Sequence, residues 1–203
     1  MKWLCALFLL VAPAFAAAQS LPALYDVEGV AEEDVLNIRA LPDASAPIIG
    51  GLAPDRTGVE ITRLNERGTW GRVNAGDRAG WASMYYLARQ PGQPAGRLPR
   101  PLLCTGTEPF WSLEIGADPS AIFEAPGQAP RRYRNLWAVT SANRTDRYAV
   151  MGDGSDNSRL SAMIGRTTCT DGMSDRAYGL DIGLLLRGGD GTDFLSGCCR
   201  LQR

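Results

Sequence analysis

The sequence predicts an all-β protein made of two small modules, and three observations carry that expectation. Short runs that alternate apolar and polar residues recur along the chain, broken by Pro, Gly and Asp. No long segment repeats its apolar residues at helical spacing, and no internal repeat is visible. Four of the five cysteines (Cys104, Cys169, Cys198 and Cys199) fall in the second half, which sets that half apart.

Composition narrows the class. The 203 residues carry a formal charge of -1, with 45% hydrophobic and 21% charged residues. That is ordinary globular usage and argues against a nucleic-acid partner. Lys2, the apolar run Leu4 to Val11, Pro13 and the run Ala14-Phe15-Ala16-Ala17-Ala18, with small residues where a signal peptidase needs them, read as a secretory signal (1–18) cleaved after Ala18. The apolar run is too short to span a bilayer comfortably, so no membrane span is expected after cleavage. Cys5 has no lipobox context, so no lipid anchor is expected either. The expected location is the periplasm.

Cleavage leaves four cysteines, an even number in an exported chain, which implies disulfides. Cys198 and Cys199 are chain neighbours and point to opposite faces of a strand, so they should not bond to each other. Two pairings remain open on the residues alone. A zinc site is disfavoured, because there is no CxxC and no histidine.

The first module spans 22–88. Its expected strands are Tyr25 to Val30, Val35 to Arg39, Val59 to Leu64, Trp70 to Val73 and Ala79 to Ala82, with a long turn-rich loop over Leu41 to Gly50. Ser83 to Leu87 is expected to form a single helical turn. Residues 89–101 are rich in Pro and Gly and read as a semi-extended linker. The second module, 102–203, shows runs at Phe110 to Ile115, Ala121 to Glu124, Leu136 to Val139, Tyr148 to Met151, Arg159 to Arg166, Tyr178 to Arg187 and Asp193 to Arg200. By pattern this is a small antiparallel barrel or sandwich.

The words LNIRALPDASAPIIGGL and GVEITRLNERGTWGRVNAGDRAGWASMYYL resemble the bacterial SH3 family over about 65 residues. The resemblance implies an SH3-like small barrel that binds cell-wall peptides (peptidoglycan) or an envelope protein. Leu41 stands where the family has glycine, and Ala82 where it has Val. Asn37, Arg39, Trp70, Trp81, Tyr85 and Tyr86 are the candidate contacts. Aromatic side chains give contact area at low entropy cost, and Asn and Arg give directional hydrogen bonds. The plain structural role for Trp70 and Trp81 is to fill a small barrel.

In the second module, EPFWSLEI, CTDGMSDRAY and LSGCC resemble a family of uncharacterised bacterial envelope proteins that share GxEPxWxxxI, CxDGMSDxxYP and a terminal GC. They are also loosely similar to META-type small barrels. The resemblance implies a Cys169–Cys198 disulfide, which leaves Cys104 to Cys199. Gly179 departs from the family's proline.

Glu108, Asp171, Asp175 and Arg176 are the remaining candidates. Asp171 and Asp175, with Asp153, Asp156 and Asp190 as further oxygen donors, could meet a hard cation. The spacing suits a tight turn better, with Asp171-Gly172 turning, Ser174 and Asp175 capping, and Arg176 paired to Glu108 or Asp175. No metal or cofactor is expected. Without histidine, Ser-His-Asp and Cys-His catalysis are excluded. No enzyme is expected, since only Glu108, Asp171 and Asp175 could act as a carboxylate-based wall hydrolase. An inhibitor of a lysozyme-type wall-degrading enzyme is the other alternative, with the DGMSD loop as its contact.

Overall fold

The computed structural model describes residues 20–155, 157–188 and 191–202. The expected signal with Cys5 and Ala18 lies outside the described residues, as do Asp156 and Asp190. Every regular element described is a strand, apart from one 3₁₀ turn at Met84–Tyr86. That turn is where a helical turn was expected, and the Ser83 hydroxyl caps it by accepting from Tyr85 N–H.

Seven strands build the first module: β1 (Ala23–Val27), β2 (Leu36–Arg39), β3 (Ile48–Leu52), β4 (Val59–Ile61), β5 (Trp70–Ala75), β6 (Arg78–Ser83) and β7 (Leu87–Arg89). They form two antiparallel sheets, β4-β1-β7 and β3-β2-β6-β5. Alternation does the sorting. Ala23, Tyr25 and Val27 of β1 point inward and meet Leu36 and Ile38 of β2, Val59 and Ile61 of β4, and Val73 of β5. Gly80 lets β6 approach β2, because a Cβ there would stand 2.5 Å from Ile38 Cγ2 and 2.8 Å from Arg39 O. β3 lies partly in the segment expected to be loop. Its two glycines give no strand signal, and pairing with β2 holds it instead.

Eight strands build the second module: β8 (Leu102–Thr107), β9 (Phe110–Ile115), β10 (Ala121–Glu124), β11 (Arg131–Thr140), β12 (Arg147–Gly154), β13 (Arg159–Cys169), β14 (Tyr178–Gly188) and β15 (Gly191–Leu201). They close into a barrel in the order β10-β11-β12-β13-β14-β15-β8-β9. Closure removes free sheet edges. The interior is filled by alternate residues, among them Leu113, Ile115, Leu160, Ile164, Leu180, Leu184 and Leu186, each 1% exposed or less.

Both disulfides staple this barrel. Cys104 bonds to Cys199, its register partner across β8 and β15, and Cys169 bonds to Cys198. Adjacent cysteines serve opposite faces, as strand geometry requires. Two such bonds belong to an oxidising compartment outside the cytoplasm.

The modules are docked rather than tethered. In a barrel of successive antiparallel strands, turns alternate between the two ends. The first module covers the end that holds Arg166, Gly179 and Leu201. Leu24 of β1 packs against the barrel core. Arg166 donates to Pro22 O at 3.0 Å and to the Tyr148 hydroxyl at 2.7 Å. Gly179 abuts Pro22, and a Cβ there would meet its ring at 2.8 Å, so this contact excludes the proline expected from the resemblance. The Asn74 amide clasps Ala177, accepting from its N–H at 2.8 Å and donating to its C=O at 2.9 Å. The 89–101 segment is likewise pinned rather than free. Gln93 bonds both the N–H and the C=O of Leu24, and Gly96 O accepts from the Thr140 hydroxyl. Amide and carbonyl pairing thus overrides the looseness that its Pro/Gly composition suggests.

Candidate functional site

A cleft of about 390 Å³ opens on the first module. Four of the six candidate contacts there line it: Asn37, Arg39, Trp70 and Tyr86. Asn37 and Arg39 alternate with the buried Leu36 and Ile38 on β2, so core packing turns them outward. Trp70 opens β5, and Tyr86 ends the 3₁₀ turn. Val30, Val35 and Leu36 supply apolar wall, and Asp34 supplies a carboxylate opposite in charge to Arg39. Arg39 is partly committed, since its Nη1 donates to Ala46 O at 2.8 Å and braces the β2–β3 loop. The volume suits a few residues of extended chain or a small molecule.

The other two candidates separate from the cleft. Trp81 is 7% exposed, with the guanidinium carbons of Arg63 and Arg72 at 5.2 and 5.4 Å from its ring centroid. It packs in the wall of the first module and does not line the cleft. Tyr85 is 87% exposed but outside the cleft, its ring set edge-on to Tyr86 at 4.9 Å.

The DGMSD loop works as a fastening. The Asp171 carboxylate accepts from Met173 N–H, Ser174 N–H, the Ser174 hydroxyl and the Tyr178 hydroxyl, at 2.7 to 3.1 Å. Thr107 donates to Asp171 O, and Asp175 O accepts from Ala79 N–H across to the first module. Asp175 and Glu108 side chains are exposed. Arg176 forms no ion pair with either of them among the described residues, which corrects that expectation. Its Nε is buried toward the seam between modules instead, without a hydrogen-bond partner. No group of three His, Cys, Asp or Glu side chains able to hold a metal occurs among the described residues.

Burial opposes the charge of Asp171, yet the bonds from Ser174, Met173 and Tyr178 outweigh it and hold the carboxyl down at about 2. A folded value below the ordinary 3.8 means stability present above that value and lost as pH falls through about 2. Asp171→Asn is therefore expected to cost about 1–2 kcal/mol at pH 7. Urea unfolding at pH 7 and pH 2 checks this, with the gap closing at the lower pH.

One surface has no signature in the sequence. On the outer barrel face Trp137, Met151, Leu185 and Phe194 fall in one cross-strand row, bridged by Ser161, and all four are exposed. Met163 stands beside the row, 71% exposed. Runs such as LWAV and LLLR carry apolar residues on both faces, and only the closed register shows which ones meet outside. Compared with protein-family models, curated proteins and solved structures, the chain matches none.

Proposed function

We propose that the chain is an exported envelope binding protein of the periplasm whose SH3-like first module takes a cell-wall peptide in the Asn37–Arg39–Trp70–Tyr86 cleft. The cleft carries this reading. It joins an aromatic wall to a cation, a carboxylate and an open side-chain amide, the set that grips an extended peptide by its backbone and ends. The two bent antiparallel sheets around one core, and the bacterial SH3 words along them, support the assignment. The DGMSD carboxylates enter it as fastenings rather than as acid and base, since Asp171 is engaged by four donors.

Co-sedimentation of the whole protein with purified peptidoglycan tests the proposal. Trp70→Ala is expected to weaken binding at least about tenfold, the loss typical of an aromatic anchor. Tyr85→Ala should bind as wild type does, because Tyr85 stands outside the cleft. Undiminished binding by the Trp70 variant would remove the cleft from the argument. If the wild-type protein stays in the supernatant, the wall ligand itself is abandoned.

A second reading rests on the Trp137–Met151–Leu185–Phe194 row. A contiguous exposed apolar row marks a protein contact, and a wall-degrading enzyme would be a partner of that kind. Inhibition of lysozyme by the wild-type protein, abolished in Phe194→Asp, would favour it.

A further inference from the structure

The barrel end opposite the first module carries a cleft among the described residues. The β8–β9 and β10–β11 turns lie there, and a cleft of about 410 Å³ enters between them and β15. Its floor is aromatic. Trp111 and Phe123 are buried and stacked, with ring centroids 6.1 Å apart and planes at 22°. Arg131 lies over Phe123, its guanidinium carbon 4.5 Å from the ring centroid. Asp193 lines the same cleft from β15.

Three features in and beside it are unexplained by folding. The Nε of Arg131 is buried without a hydrogen-bond partner among the described residues. The hydroxyl of Tyr133, a residue only 1% exposed, two positions along the same face of β11 and outside the cleft lining, also has no partner among the described residues. The fields of both Arg131 and Asp193 reach that phenol, yet no ion pair joins the two charges among the described residues. Buried polar groups are ordinarily satisfied, and each orphan costs free energy until something pairs with it. A lone carboxylate would suit Arg131 but meet repulsion from Asp193. A lone amine would do the reverse. A ligand with both charges and an apolar body engages Arg131, Asp193 and the aromatic floor.

We propose that this mouth is a second binding site, for a small apolar zwitterion of amino-acid type. Its carboxylate sits on the Arg131 guanidinium, its ammonium faces Asp193, and its side chain rests on Trp111 and Phe123. The site is distinct from the cleft of the first module and stands or falls separately.

Isothermal titration of the purified protein with phenylalanine, 3-phenylpropionate and phenethylamine tests it, because the three share a ring and differ in charge. Phenylalanine is expected to bind at least about tenfold more tightly than either analogue, since each missing charge leaves a buried or cleft-lining group unpaired. Arg131→Gln should lower phenylalanine affinity at least about tenfold, with the thermal midpoint reporting an intact fold. Three results overturn the proposal: no saturable binding of phenylalanine, an analogue that binds equally well, or a folded Arg131→Gln variant with wild-type affinity.

Discussion

Replacing both members of the Cys104–Cys199 pair with alanine is expected to cost about 4–5 kcal/mol of unfolding free energy, more than any single hydrogen bond or surface ion pair of the fold contributes. The bond spans 95 residues and fixes the first barrel strand to the last, so its loss frees the longest loop in the unfolded chain. The Cys169–Cys198 bond spans 29 residues. By the same loop-closure argument its removal should cost about 3–4 kcal/mol. The order is as informative as the size. Cys104 and Cys199 are both fully buried, so truncation also leaves a cavity, which adds to the gap in the same direction. Urea unfolding of the two double variants, each with the other disulfide intact, measures both. Equal costs, or the reverse order, would show that strand closure is held by side-chain packing and not by the covalent link.

The strands that sequence makes legible are those with one wet and one dry face. β1, β2, β5 and β10 alternate cleanly and fall close to where the pattern puts them. β3 and β8 do not announce themselves. β3 is glycine-bearing and half exposed, and β8 begins directly after the Pro/Gly segment. Their evidence is a partner strand far away in sequence, and periodicity cannot register a partner. The cleft of the first module was legible in part for a similar reason. Asn37 and Arg39 are fixed outward by their own strand, so their exposure follows from Leu36 and Ile38. Whether Trp81 faces ligand or wall depends on Arg63 and Arg72, which lie on other segments. The fastening of Asn74 to Ala177, 103 residues away, and the outer apolar row depend wholly on how the two modules meet and how the barrel closes.

Glu60 shows what such a seam does to an ordinary surface residue, and it predicts how stability responds to pH. On β4 it lies between the buried Val59 and Ile61, so alternation sends its side chain out of the first core and into the seam with the barrel. Leu201 N–H donates to its Oε1 at 3.0 Å, and Arg200 and Arg176 stand close enough to favour its charge. Burial outweighs all three and pushes the carboxyl up from 4.5 to about 7. A raised folded value means that the favourable protonated form contributes fully below about pH 4.5. That contribution is lost as pH rises through 7. At pH 8 an ionised Glu60 therefore weighs against the docked state by about 3 kcal/mol. Glu60→Gln keeps a carbonyl to accept from Leu201 and removes the charge. The variant should exceed wild type by about 2–3 kcal/mol at pH 8 and match it near pH 4. This trend runs opposite to that of Asp171, whose contribution is lost in acid, so the two groups separate cleanly along one pH series. Urea unfolding at pH 4, 6 and 8, with hydrogen exchange of the Leu201 amide, locates the effect at the seam. A wild-type protein as stable at pH 8 as its Gln variant would mean that Arg176 and Arg200 neutralise the buried carboxylate. The seam would then be indifferent to pH.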